Sequence, residues 1–235
     1  MEDDIQYGFR NILSAEEPIR LMNSYRGMPV ITSATLLRLE EGQVTLRAPS
    51  IQINCMRING NTLLTSNLLP YSLKARVVSW SLYDETVLLD SFQRAGADVS
   101  KRSFVRVEPQ ESIPVTLTYE ESGAVIPAHL TEVSLRGIGV LVSQDSFDLK
   151  IIGKETRVNM SLDLPLKEEG QEIGWVSITC KGVMKNFEPF KKAHRLGMQI
   201  YPTMEAERAL TRYIAQRQIE LLSELRGMSQ GSPIA

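Results

Sequence analysis

The stretch KRSFVRVEP, Lys101 to Pro109, decides how this chain is read. Arg102 and Arg106 stand four residues apart where the sequence changes character. In an extended strand, positions i and i+4 share a face and lie about 13 Å apart. Two arginines so spaced make either a solvated edge strand or a bracket around an anion. If the segment leaves a loop at Arg102, the two can converge. Arginine suits a phosphate because its planar fork donates bidentately, and it stacks on flat rings. Lys101 and Arg94 add positive charge nearby.

Outward from this stretch the chain is mostly strand-like on both sides. Before it, PVITSATLLRL, QVTLRA, IQINCMRI, TLLTSNLL, KARVVSWSLY and TVLLDS are short and rich in branched residues. Turn signals at 40–42, 59–61, 69–70 and 83–85 separate them. After it come IPVTLTYE, IPAHLTEVS, GIGVLVS, RVNMSLDLP, GWVSITCKGVMKNFE and HRLGMQIY. This spacing predicts small barrels or sandwiches rather than βαβ units. QRAGADVSK, 93–101, is small and polar and reads as a linker.

Ser14 with Glu17 three residues on resembles a capping box, which predicts a short leading helix over SAEEPIRLMNSY. From Thr203 the period changes to helical. Leu210, Ile214, Leu221 and Leu225 fall on one face with Tyr213 and Leu222 beside it, and Thr203 is the expected N-cap. The fold class is therefore mainly β: two small β-barrel or split-barrel domains in tandem with a C-terminal α-helix. The expected layout is a β domain over 1–93, a linker or switch loop over 94–101, a second barrel over 102–202, a helix over 203–227 and a flexible tail over 228–235.

The totals narrow the function. The chain has 235 residues and a net charge of -2, so a general nucleic-acid binder is not expected and any anion site must be local. Cys55 and Cys180 have no CxxC partner and read as buried thiols in a reducing cytoplasm. The acidic start lacks the features of a signal peptide, and no apolar run reaches the length of a membrane span. His129 and His194 lie in separate strands, without metal spacing. Phosphate-binding glycine loops and the nucleophile elbow are absent, so no enzyme, metal or cofactor is expected. Trp80 and Trp175 are expected in the core.

Thirty residues beyond the arginines comes TEVSLRGIGV, 131–140. A strand ends at Ser134, a turn follows, and Gly137 is expected to supply a conformation closed to other residues. Glu132 and Ser134 alternate onto one strand face. A carboxylate and a hydroxyl so placed can read a guanine edge, the first accepting from N1–H and N2–H.

R-x-x-x-R followed by an E-x-S-x-x-G in an all-β unit of this size resembles the PilZ domain. MSLDLPL at 160–166 resembles that family's strand ending in a Leu-Pro turn, and HRLGMQI at 194–200 its closing strand. The leading β domain is similar in layout to that of flagellar-brake-type members. The resemblance implies a cytoplasmic receptor for the bacterial second messenger cyclic di-GMP, with the ligand at the junction of two domains. Arg102 and Arg106 match the motif arginines that hold phosphates and stack on guanine. Lys101 falls where a further arginine is common. Ser134 and Gly137 match the second motif, and Arg136 in the turn is a further phosphate candidate. Glu132 departs from the family's Asp or Asn and reaches about 1.5 Å further, in a site where hydrogen bonds tolerate only tenths of an ångström. Binding is expected to change the interdomain arrangement and to signal to a protein partner such as the flagellar motor, with a homodimer through the last helix a further option. The alternative is an interaction scaffold of the same fold that binds no nucleotide.

Overall fold

The computed structural model describes residues 3–40, 42–96, 104–146, 155–167 and 174–230. Two closed six-stranded barrels carry most of it, as the mainly β reading predicts. One compact unit takes in Met1–Ser103 with Leu221–Ala235, the other Phe104–Glu220.

The first unit opens with helix α1, Asp3–Ala15. Its Ile5, Gly8, Phe9 and Ile12 are buried, the i, i+3, i+4, i+7 spacing of one helical stripe. SAEEP therefore ends this helix rather than starting one. Glu16 takes the left-handed conformation at φ 52, and the Glu17 N–H donates to the Ile12 carbonyl at 3.2 Å. That is a Schellman stop, and Pro18 just beyond cannot rejoin a helix.

Six antiparallel strands follow: β1 (Ile19–Tyr25), β2 (Met28–Glu40), β3 (Gln43–Arg47), β4 (Asn61–Thr65), β5 (Leu73–Ser81) and β6 (Thr86–Arg94). They close in the order β1-β2-β3-β6-β5-β4, which leaves no unpaired sheet edge. Ile19, Leu21, Val44, Leu46, Leu64, Leu73 and Leu89 fill the interior with α1, and the Phe9 and Phe92 rings meet edge to face at 5.0 Å.

SIQINCMRIN, expected as a strand, is helix α2, Ser50–Asn59. Pro49 stands before its first turn, and Gly60 ends it in the left-handed region with its N–H on the Met56 carbonyl. The apolar alternation suits a strand, but the buried amides suit only the helix. The Gln52 amide donates to Asn23 Oδ1 at 2.7 Å, and Asn54 Nδ2 donates to the Leu225 carbonyl at 2.9 Å. Buried amides need such partners, and only the folded context supplies them.

The second unit is built from β7 (Pro114–Tyr119), β8 (Val125–Ser134), β9 (Gly137–Ser143), β10 (Arg157–Leu166), β11 (Gly174–Phe190) and β12 (Ala193–Pro202). They close in the order β10-β11-β12-β9-β8-β7. Along β10 the period is two: Val158, Met160, Leu162, Leu164 and Leu166 are all buried. Trp175, expected in the core, is 62% exposed because it sits on the outward phase of β11. Trp80 is half-buried with the Arg57 guanidinium over its ring at 5.2 Å.

Helix α3, Met204–Gln230, begins where expected: Thr203 Oγ1 accepts from the Ala206 N–H at 3.2 Å. It runs three residues past the predicted end, into the segment expected as a tail, whose residues 231–235 lie outside those described. Leu210, Tyr213, Ile214, Leu221 and Leu225 are buried as the stripe requires. Between them stands a residue that periodicity does not flag. Arg217 is 2% exposed, pairs with Glu220 at 2.8 Å, and donates from Nε to the Glu108 carbonyl at 2.9 Å.

Burial pushes the Glu220 carboxyl up, but hydrogen bonds from Lys167, Arg217 and Gln216 outweigh it and hold the group below its ordinary value. A depressed carboxylate stabilises the fold above its unfolded pKa, about 4.3, and that contribution is lost as pH falls through the lower folded value. Glu220→Gln is expected to lower the urea midpoint at pH 7, with the gap to wild type closing below about pH 4. An unchanged gap at pH 3 would assign the loss to packing instead.

Both thiols are buried, and burial pushes Cys55 up to about 12 and Cys180 up to about 11. Thiolate is the reactive form, so a disulfide reagent at pH 8 is expected to titrate neither thiol in the native protein and both in denaturant. Rapid modification of the native chain would contradict this.

Candidate functional site

The site is built on the β8–β9 hairpin. Ser134 pairs with Gly137 across the two-residue turn Leu135–Arg136, and Glu132 pairs with Gly139 after a bulge at Thr131. Gly137 is not in the left-handed region, contrary to expectation, and its need is for space. A Cβ there would meet Ser134 Oγ at 3.3 Å and the Met198 carbonyl at 3.4 Å. Ser134 is 4% exposed and its hydroxyl donates to the Gly137 carbonyl at 3.1 Å. The serine thus ties the turn together, with lone pairs remaining on its oxygen.

The segment from Phe104 to Ile113, expected to start as a strand, is a strap with one ladder contact. Val107 and Val133 exchange N–H···O bonds at 2.9 and 3.0 Å, and the Leu130 N–H donates to the Ile113 carbonyl at 2.9 Å. Val107 is fully buried and anchors the strap. This anchoring brings Arg106 to Glu132, which lies 26 positions away in sequence: Nη1 meets Oε1 at 2.5 Å. The arginine side chain is 36% exposed and the glutamate 17%.

A third residue completes the cluster, and the sequence reading missed it. Arg195, on β12, reaches the second oxygen of Glu132, Nη2 to Oε2 at 3.3 Å. Register explains the meeting. Glu132 faces Gly139 on β9, and Gly139 faces Gly197 on β12, two positions from Arg195. Gly139 carries no side chain to block the path. A Cβ there would lie 2.7 Å from Glu132 Cγ and 2.9 Å from Thr131 Oγ1. Arg195 sits inside HRLGMQI, a stretch noticed for its strand pattern and its resemblance to a closing strand but not for its arginine, so its position beside Glu132 needed the strand order to be seen. It also lines a cavity of about 440 Å³ with Ser112, His129, Thr131, Leu141 and Phe190.

The other expected site residues are dispersed or undescribed. Arg136 pairs with Glu207 at the start of α3, at 3.2 Å. Arg94 closes β6 in the first unit, where its guanidinium lies over the Tyr71 ring at 5.1 Å. The strand therefore reaches the first residue of the expected linker. Lys101, Arg102 and the rest of 97–103 lie outside the described residues.

Chemically, the cluster is a carboxylate held between two guanidiniums, one positive charge in excess. It can exchange an internal anion for an external one. Among the described residues no group of three or more His, Cys, Asp or Glu is placed to hold a metal ion. No described helix is long and apolar enough to cross a membrane.

No family model matches the chain. An uncharacterized protein of Aquifex aeolicus (strain VF5) is 28% identical over 145 residues, 61% of this chain and 62% of the relative. The chain thus matches less than two thirds of that curated relative's length. Among solved structures, MrkH of K. pneumonia in complex with c-di-GMP is similar over 95% of this chain and 97% of that one, at 14% identity and a TM-score of 0.45. YcgR of Escherichia coli in complex with c-di-GMP is similar over 94% and 92%, at 15% identity and 0.42. The Bacillus subtilis inhibitor of motility MotI/DgrA is similar over 87% and 97%, at 15% and 0.42. At these scores the functional reading rests on the chain's own residues.

Proposed function

We propose that this protein is a non-catalytic cyclic di-GMP receptor of the PilZ type. The observation that carries the reading is the meeting of Arg106 with the E-x-S-x-x-G hairpin through the Val107–Val133 bridge. One arginine of the first motif and the glutamate of the second are drawn together by one buried anchor, Val107. In this reading Arg106 and Arg102 take the phosphates and stack on guanine. Glu132 accepts from guanine N–H groups, and Ser134 and Gly137 hold the turn that presents it. Lys101, Arg94 and Arg136 add positive charge. The ligand gathers the 94–101 segment, shifts the arrangement of the two units, and the change is read by a protein partner in the cytoplasm.

The test is calorimetric titration of the purified chain with cyclic di-GMP, beside Arg102→Ala and Arg106→Ala. Micromolar or tighter binding, lost in both variants, supports the receptor. Absence of both heat and thermal shift at high ligand overturns it. Small-angle scattering with and without ligand then tests the rearrangement, and identical profiles would remove it.

A second reading has an observation of its own. Glu132 already occupies Arg106. A site neutralised from within suits a scaffold of the same fold that binds no nucleotide, and the same titration separates the two.

A further inference from the structure

Glu132 is held at both ends. Oε1 is on Arg106 and Oε2 on Arg195, and its stem crosses the bare backbone of Gly139. An anion arriving at Arg106 must displace the carboxylate from that arginine. A carboxylate with 17% of its side chain exposed is costly to leave unpaired. Arg195 removes that cost, because it already grips the other oxygen.

We propose that Arg195 is a positioning residue of the anion site: it retains Glu132 when a phosphate takes Arg106, so that Glu132 serves as a displaceable internal counterion. This rests on the receptor reading above and deepens it. In the free protein Arg106 is neutralised and kept in place by Glu132. On binding, the phosphate replaces the carboxylate on Arg106, and Oε1 is released to accept from the guanine edge while Oε2 stays on Arg195. No bond is made or broken covalently, and the charge count is conserved. The longer Glu, where the family carries Asp or Asn, is the feature that makes the exchange possible. Its extra methylene spans the gap to Arg106, and an Asp would end about 1.5 Å short of both arginines.

The roles separate in a double-mutant cycle read by cyclic di-GMP titration. Arg195→Ala is expected to weaken binding about tenfold when Glu132 is present. Arg195→Lys keeps a cation on Oε2 and is expected to stay within about threefold of wild type. Arg195→Met keeps the apolar stem without the charge and is expected to lose affinity as Arg195→Ala does, a split that a packing role would not give. Glu132→Asp is expected to tighten binding about tenfold, since the competitor for Arg106 is withdrawn. In the Glu132→Asp background, Arg195→Ala is expected to change affinity less than about twofold, because the group it acts on no longer reaches it.

Equal losses on Arg195→Ala in both backgrounds would mean that Arg195 touches the ligand itself, and would overturn the positioning role. Wild-type affinity in Arg195→Ala would overturn it too, while leaving the receptor reading intact. No binding by any of the variants, Glu132→Asp included, would overturn the receptor reading and the exchange together. Urea midpoints measured in parallel confirm that each variant is folded. Arg195 is 42% exposed, so its replacement is not expected to unfold the barrel.

Discussion

Arg106→Ala is expected to weaken cyclic di-GMP binding by about 100-fold, near 2.7 kcal/mol, with little change in stability. A guanidinium on a phosphate makes charge-assisted bonds, each worth more than a neutral one, and its fork can make two at once. Removing it deletes both and leaves the phosphate facing Glu132, still held by Arg195. The stability effect is small because a partly exposed ion pair adds little to folding. Arg106→Lys keeps the charge but loses the planar fork, so its affinity is expected between wild type and Ala. Titration calorimetry measures the affinities and urea unfolding the stability. Undiminished binding in Arg106→Ala would remove this residue from the site.

Arg217→Ala is expected to cost about 3 kcal/mol of stability. The side chain is 2% exposed, and its loss leaves Glu220 short of one of its two cationic partners, the other being Lys167 at 2.6 Å. It also leaves a cavity the size of a long side chain. Burying an ion pair is not in itself stabilising, so Arg217→Met with Glu220→Met, which removes both charges and fills the volume, is expected to recover much of the loss. Urea midpoints of the single and double variants test this. A single variant within about 1 kcal/mol of wild type would show that the pair is replaceable. There is a functional consequence as well. Arg217 Nε holds the Glu108 carbonyl, two residues from Arg106, so its loss is expected to loosen the strap that carries Arg106.

Much of the fold was legible because barrel strands obey a period of two that survives in one dimension. RVNMSLDLP reads as a strand and is one, with every second residue buried. The final helix was legible for the same reason at period 3.6, and Thr203 marked its start. Reading failed where a local pattern admits two structures. The apolar alternation of SIQINCMRIN fits a strand as well as a helix, and the choice was made by amide partners far off in the chain, Asn23 for Gln52 and Leu225 for Asn54. SAEEP carries residues that start helices, but Ile5, Phe9 and Ile12 had already formed one against the core, and the left-handed Glu16 stopped it.

For the site the division is similar. By itself the sequence determined the strand class, the terminal helix and the spaced motifs that bring Arg106, Glu132, Ser134 and Gly137 to notice, since these depend on residue type and local spacing. Only the tertiary structure decided what those groups touch. Barrel closure sets β8, β9 and β12 side by side and so delivers Arg195 to Glu132 across a glycine. The buried Val107 bridge delivers Arg106 to the same carboxylate. Both meetings depend on register between strands distant in sequence, and such register is set by how the whole barrel packs its interior.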